Sequence, residues 1–243
     1  MASNAEPEIV LYDLSNTKGV CFSPMAWRDR LLLNYKRIPY KTVFLEFQEI
    51  GPTVKKFGIA EAFPSDTYTV PFIFHIPSST YILESFPIAK FIEKTYPERP
   101  VQLTSDFGSE VHSKLDPTIH SIYNAVVLPL EIGVLTPDAE AFFRRTREKT
   151  RGYPLEDLLA PGKVEQAWKA ADDELKAVSE LLLTNKDKGP FVLGTEPSYI
   201  DFMVAGWLEC FKVIDEESFQ NVVKLAGFKQ IYEACQPFME KKD

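Results

Sequence analysis

The chain changes its hydrophobic rhythm near residue 100. Before that point, short apolar runs of strand length alternate with stretches at helical spacing. Ile9-Val10-Leu11-Tyr12 is such a run, and after a polar loop from Asp13 to Val20 the residues Trp27, Leu31 and Leu32 fall on one helical face. Phe72-Ile73-Phe74-His75-Ile76 and Tyr81-Ile82-Leu83 follow as two strands around a turn from Pro77 to Thr80, and Glu84-Ser85 heads another helix. Beyond Pro97-Glu98-Arg99-Pro100 strand signals nearly vanish. Val111, Leu115, Ile119, Ile122 and Val126 recur every three or four residues, as do Val164, Trp168, Ala171, Leu175, Val178 and Leu182. Pro117 lies in the first of these stripes and is expected to bend or break its helix. The pattern predicts a small α/β domain over 1–96, a linker over 97–105 and an all-helical domain over 106–243.

Composition narrows the function classes. The 243 residues are 45% apolar and 26% charged, ordinary for a globular protein, and the formal net charge of −8 argues against a nucleic-acid partner. Arg144-Arg145-Thr146-Arg147-Glu148 has mixed signs and reads as a solvated helix face. Cys21, Cys210 and Cys235 are too scattered for a disulfide framework or a zinc site, and His75, His112 and His120 lack metal-ligand spacing. No metal is expected. Met1 to Pro7 is polar, without the features of a signal peptide, and no apolar stretch approaches the roughly 20 residues that span a bilayer. These features predict a reduced, soluble, cytoplasmic protein without a membrane partner.

Four local signals carry chemistry or folding information. Ser23-Pro24 pairs a favoured N-cap with proline at the first helical position, which holds a hydroxyl at the positive end of a helix. Val70-Pro71 precedes the apolar run Phe72-Ile73-Phe74-His75-Ile76, in the order strand, helix, strand, helix, Val-Pro, strand, strand, Glu-Ser, helix. Glu84-Ser85 ends a strand and opens a helix, another place where an anion is stabilised. Ser198-Tyr199-Ile200-Asp201 is a capping box with aspartate in place of the usual glutamate or glutamine.

Taken in order, the first three motifs resemble the N-terminal, thioredoxin-like domain of a cytosolic glutathione transferase, and the capping box extends the resemblance into an all-α C-terminal domain. The segment Gly19 to Arg28 is similar to that of bacterial lignin β-etherases and of the fungal etherase-related (Fua) glutathione transferases. The resemblance implies glutathione as co-substrate, with Ser23 as the catalytic residue that stabilises its thiolate. It also implies that Val70, beside a cis Pro71, pairs its backbone with the cysteinyl unit, and that Glu84 and Ser85 receive the γ-glutamyl group. A basic residue, Lys41 or Lys56, is expected near the glycine carboxylate. Cys21 is the rival nucleophile, since cysteine-type members use a thiol and transfer it through mixed disulfides. An acceptor pocket between the domains would be lined by Cys21, Phe22, Met25, Ile119 and Tyr123. The implied activity is attack of glutathione on hydrophobic, aromatic electrophiles or aryl ethers, in a detoxifying homodimer. The alternative is a ligandin that mainly sequesters hydrophobic aromatic compounds.

Overall fold

A computed structural model describes residues 6–62 and 67–242; residues 1–5 at the start of the polar Met1 to Pro7 segment lie outside that range. Four strands form one mixed sheet in the order β2-β1-β3-β4. They are β1 (Ile9–Leu14), β2 (Tyr40–Leu45), β3 (Phe72–His75) and β4 (Thr80–Leu83). β1 runs parallel to β2 and antiparallel to β3, and β3 runs antiparallel to β4. Central β1 is buried from Ile9 to Asp13, which explains why it reads as a continuous apolar run rather than an alternating one.

Helix α1 (Pro24–Lys36) follows β1, α2 (Phe47–Lys56) follows β2 and α3 (Ser85–Thr95) follows β4. The sheet with these helices is a thioredoxin-like domain. From residue 106 onward the described chain is helical apart from isolated bridges: α4 (Asp106–Ile122), α5 (Leu128–Leu130), α6 (Pro137–Arg151), α7 (Lys163–Leu182), α8 (Tyr199–Ile214), α9 (Glu216–Val223) and α10 (Ala226–Cys235). The predicted stripe of α4 is its core face, with Val111, Leu115, Ile119, Ile122 and Val126 all buried. Each such side chain contributes about 1.5–3 kcal/mol by leaving water. In α7 the buried members are Ala171, Leu175, Val178 and Leu182, while Val164 and Trp168 are half-buried.

Two expectations are corrected. Pro117 does not end its helix, since α4 continues through it to Ile122 and then widens into a π-helical turn over Tyr123–Val127. The basic run of α6 is less solvated than its charge suggests. Arg144 pairs with Glu140, Glu148 and Glu156, and the Arg147 guanidinium lies over Phe47 and Phe143, fastening α6 to the start of α2.

α1 is the helix around which the molecule closes. It packs on α8 and α3, and ten of its thirteen residues are buried, including Arg28, Asp29 and Arg30. Gly206 of α8 permits this contact, because a Cβ there would come within 2.8 Å of the Pro24 carbonyl oxygen and 3.1 Å of the Trp27 Cβ. Arg30 meets Asp13 at 3.0 Å with both side chains fully buried. Lys36 donates to the carbonyls of Tyr96, Glu98 and Arg99, which ties the chain leaving α3 back onto α1.

Candidate active site

Sheet register brings the three N-terminal motifs to one edge. Tyr12 pairs with Phe72, and Phe72 pairs with Leu83, so these residues form one cross-strand row. Immediately beyond that row β1 runs into the loop that leads to Ser23, the chain enters β3 through Val70-Pro71, and β4 ends at Glu84-Ser85. Strand direction alone dictates this meeting. The C-terminal ends of β1 and β4 and the N-terminal end of β3 point the same way.

Ser23 is the N-cap of α1, with extended backbone at φ −66° and ψ 122° and Pro24 in the first turn. Its Oγ accepts the Ala26 N–H at 3.4 Å. Among the described residues the buried Ser23 side chain makes no other hydrogen bond, so its own O–H is uncommitted. The Val70-Pro71 peptide is cis. Glu84 holds φ 68°, a left-handed conformation uncommon outside glycine and of the kind found where function over-determines the backbone. Thr69 donates to the Glu84 carboxylate at 3.2 Å, joining the second motif to the third. Ser85 is the first residue of α3, where backbone N–H groups lack intrahelical partners.

The loop before Ser23 is anchored to the helical part of the chain. Asn16 accepts the Lys18 N–H at 2.8 Å and donates to the Val20 carbonyl at 2.6 Å. Both the backbone N–H and the hydroxyl of Thr17 donate to the Val134 carbonyl, and Lys18 Nζ donates to the Val213 carbonyl.

Other predicted site residues stand apart. Cys21 is fully buried, with its thiol 3.8 Å from the Ser23 carbonyl oxygen and its carbonyl accepting Trp27 Nε1 at 3.1 Å. Burial, then the charge of Asp13, pushes its thiol well above the ordinary range, against the opposing pull of Arg30. It is neither exposed to line a pocket nor poised as a thiolate. Lys41 pairs with Val10 in the sheet, three residues short of the Asp13–Phe44 step and hence about 10 Å from the motif edge. Lys56 ends α2 and is exposed.

Of the expected acceptor-pocket residues, Phe22 and Ile119 are core. Phe22 packs with Leu128, Leu135, Phe143 and Val213, and Ile119 lies in the buried stripe of α4. Met25 and Tyr123 are half-buried. Tyr123 donates to buried Glu131 at 2.5 Å, and burial raises the Glu131 carboxyl to about 7 against the opposing effects of Tyr123 and Arg147. Glu131, which is buried, escaped the sequence reading because nothing in its spacing marks it as interior, and Arg147, read as part of a solvated face, is half-buried here.

The capping box forms as read. Asp201 accepts the Ser198 N–H at 2.8 Å and its hydroxyl at 2.5 Å, and also the Val192 N–H at 2.8 Å. Among the described residues, no group of three or more potential ligands is arranged to hold a metal ion, and no helix is long and apolar enough to cross a membrane.

Comparison with known proteins agrees with this geometry. Residues 22–95 match the family model for the glutathione S-transferase N-terminal domain, and residues 107–238 match that for the C-terminal domain. A glutathione S-transferase-like protein of Aspergillus flavus, ustS, is 26% identical over 99% of this chain and 94% of its own. A glutathione S-transferase of Ceriporiopsis subvermispora, crystallised with glutathione, is 27% identical with a TM-score of 0.84, covering 97% of this chain and 99% of its own. GSTFuA2 of Phanerochaete chrysosporium is 26% identical with a TM-score of 0.81, covering 98% of this chain and all of its own. With both domain models matched in order and relatives aligned almost end to end, the chain belongs to the glutathione S-transferase family.

Proposed function

We propose that this protein is a serine-type glutathione transferase that activates the thiol of glutathione for attack on hydrophobic, aromatic electrophiles or aryl ethers. Bound glutathione supplies a thiol that, as thiolate, forms a carbon–sulfur bond while the leaving group departs with its electron pair. The chain's own task is to favour that thiolate. A free thiol has a pKa of about 8.5, and lowering it by about two units takes about 2.7 kcal/mol of preferential stabilisation of the anion. A hydrogen bond to a charged group contributes about 1.5–3 kcal/mol, and a helix N-terminus adds a fraction more.

The observation that carries the reading is the state of the Ser23 hydroxyl. Its oxygen accepts from Ala26 while its proton is uncommitted, at the N-terminus of a thirteen-residue helix. Supporting it, the backbone of Val70 and the N-terminus of α3 flank the same sheet edge, suited to the cysteinyl unit and the γ-glutamyl carboxylate. The buried, protonated character of Cys21 speaks against thiol transfer through a mixed disulfide on that residue.

A homodimer is part of this reading, by resemblance to the family; light scattering giving a mass near 28 kDa at micromolar concentration would contradict it. The activity is tested by conjugation of a chlorinated nitroaromatic. Ser23→Ala should lower the rate at neutral pH about tenfold or further, with partial recovery at alkaline pH, where more thiol ionises unaided. Circular dichroism must accompany the kinetics, because losing an N-cap alone costs about 0.5–2 kcal/mol. A folded Ser23→Ala protein with unchanged activity would overturn the assignment.

A further inference from the structure

A cavity of about 340 Å³ opens between α1, α3, α4 and α8, and none of its lining residues belongs to the glutathione site proposed above. Phe86, Leu103, Leu193, Ile200 and Met203 give it apolar walls. Phe86 of α3 and Tyr199 of α8 both line it, their rings 5.9 Å apart. The volume is that of a small-molecule site rather than a packing defect.

The lining also carries a positive charge that no carboxylate contacts directly. Arg28 projects from the buried face of α1, is 7% exposed, and its Nε and Nη2 make no hydrogen bond. Among the described residues it makes no ion pair within 4 Å. Asp29, the adjacent buried carboxyl, attracts Arg28 without pairing with it within 4 Å, and neither of its oxygens is hydrogen-bonded. Asp116 attracts Arg28 only at longer range, and it faces His112 and His120 at 3.7 and 3.5 Å. An arginine stays protonated even when buried, and an unpaired buried cation is costly, so the arrangement favours an anion that enters from outside.

The first turn of α4 reinforces that preference. Ser105 caps this seventeen-residue helix, and Ser105, Gly108 and Ser109 line the cavity. The guanidinium fork suits a carboxylate; the Gly108 and Ser109 N–H groups are committed to Ser105, so α4 contributes the positive end of its dipole rather than free donors. The formal net charge of −8 works against anions in general, so selectivity must come from this local arrangement.

We propose that this cavity is a second ligand site, binding a small aromatic carboxylate with its carboxylate on Arg28 and its ring against Phe86, Leu103 and Met203. The site is independent of the Ser23 reading and does not require glutathione.

Isothermal calorimetry with cinnamate, and with the neutral cinnamamide as its counterpart, tests the proposal on the full chain. Cinnamate should bind once per chain, at least tenfold tighter than cinnamamide, and should still bind when glutathione is saturating. Arg28→Met should weaken cinnamate at least tenfold and abolish its preference over cinnamamide. Removing an unpaired buried charge should leave thermal stability equal or higher, and cinnamate should raise the melting temperature of the native protein but not of the variant. Ser109→Trp, which narrows the mouth and leaves Arg28 in place, should also weaken cinnamate, and it decides the matter if Arg28→Met does not fold. Equal binding of the two probes, displacement of cinnamate by glutathione, unchanged affinity in either folded variant, or no binding would each overturn the proposal.

Discussion

Two serines cap the two helices that pack along each other at the centre of the molecule, and they use their hydroxyls in opposite ways. Ser198 at the head of α8 is saturated. Its N–H and O–H both go to Asp201, whose other oxygen takes the Val192 N–H, and all of this is buried. Ser23 at the head of α1 accepts one long bond from Ala26 and keeps its proton uncommitted. One cap spends its hydrogen-bonding capacity on the fold; the other holds some back at the positive end of a helix. Cap identity alone therefore does not separate a folding signal from a chemical one. The difference lies in what remains unused once the helix is capped.

The most damaging test of the α8 cap is Asp201→Ala. It leaves the Val192 and Ser198 N–H groups buried without an acceptor, and each such group costs about 1–3 kcal/mol. Urea unfolding should show a loss of about 3 kcal/mol or more with little change in slope, and a loss below about 1 kcal/mol would contradict the role assigned to the box.

Next in size is a pH effect shared by the buried acids. Burial raises Asp201 to about 6 and Glu131 to about 7. A carboxyl with a raised folded-state pKa binds its proton more tightly in the folded chain than in the unfolded one. Its contribution is therefore greatest below the unfolded value, about 4, and is lost as pH rises through the folded value. Unfolding free energy should accordingly contain a term that declines between about pH 4 and 7. Glu131→Gln should flatten the part of that decline which extends up to about pH 7, as read from urea curves at several pH values.

For Ser23→Ala the stability loss should be smaller, about 1 kcal/mol, even though activity falls tenfold or more. That split, small on folding and large on rate, is what distinguishes a cap with reserve capacity from a saturated one. Least affected should be Cys21→Ala. Conjugation should persist at close to the native rate, with at most a modest loss of stability from the cavity left in the core. A glutathione adduct on Cys21 by mass spectrometry, together with lost activity, would reverse the comparison.

Much of this was legible because the signals were local. The Ser-Pro and Val-Pro pairs, the Glu-Ser step and the capping box each depend on neighbours within four residues, and strand order then brings the first three to one edge. What escaped depends on contacts between elements. Nothing local to Arg28, Asp29 and Arg30 signals burial, but α1 is enclosed by the sheet, α3 and α8, so all three are interior. Lys41 has the right charge, yet sheet register sets it toward the wrong end of β2. Phe22 and Ile119 are apolar in the expected region, and apolar pattern does not tell a pocket wall from a core. Pro117 broke no helix because helix boundaries here follow the buried stripe from Val111 to Val126 rather than the loss of one hydrogen bond.

The central claim is that the uncommitted Ser23 hydroxyl stabilises a thiolate, and the most direct test is to titrate the enzyme-bound glutathione thiol by its ultraviolet thiolate absorption. In the native protein the midpoint should lie about two units below the free value of about 8.5. Folded Ser23→Ala should move it up by about one unit or more, while Cys21→Ala should leave it in place. A midpoint identical in the native protein and Ser23→Ala, or one that moves only in Cys21→Ala, would contradict the account.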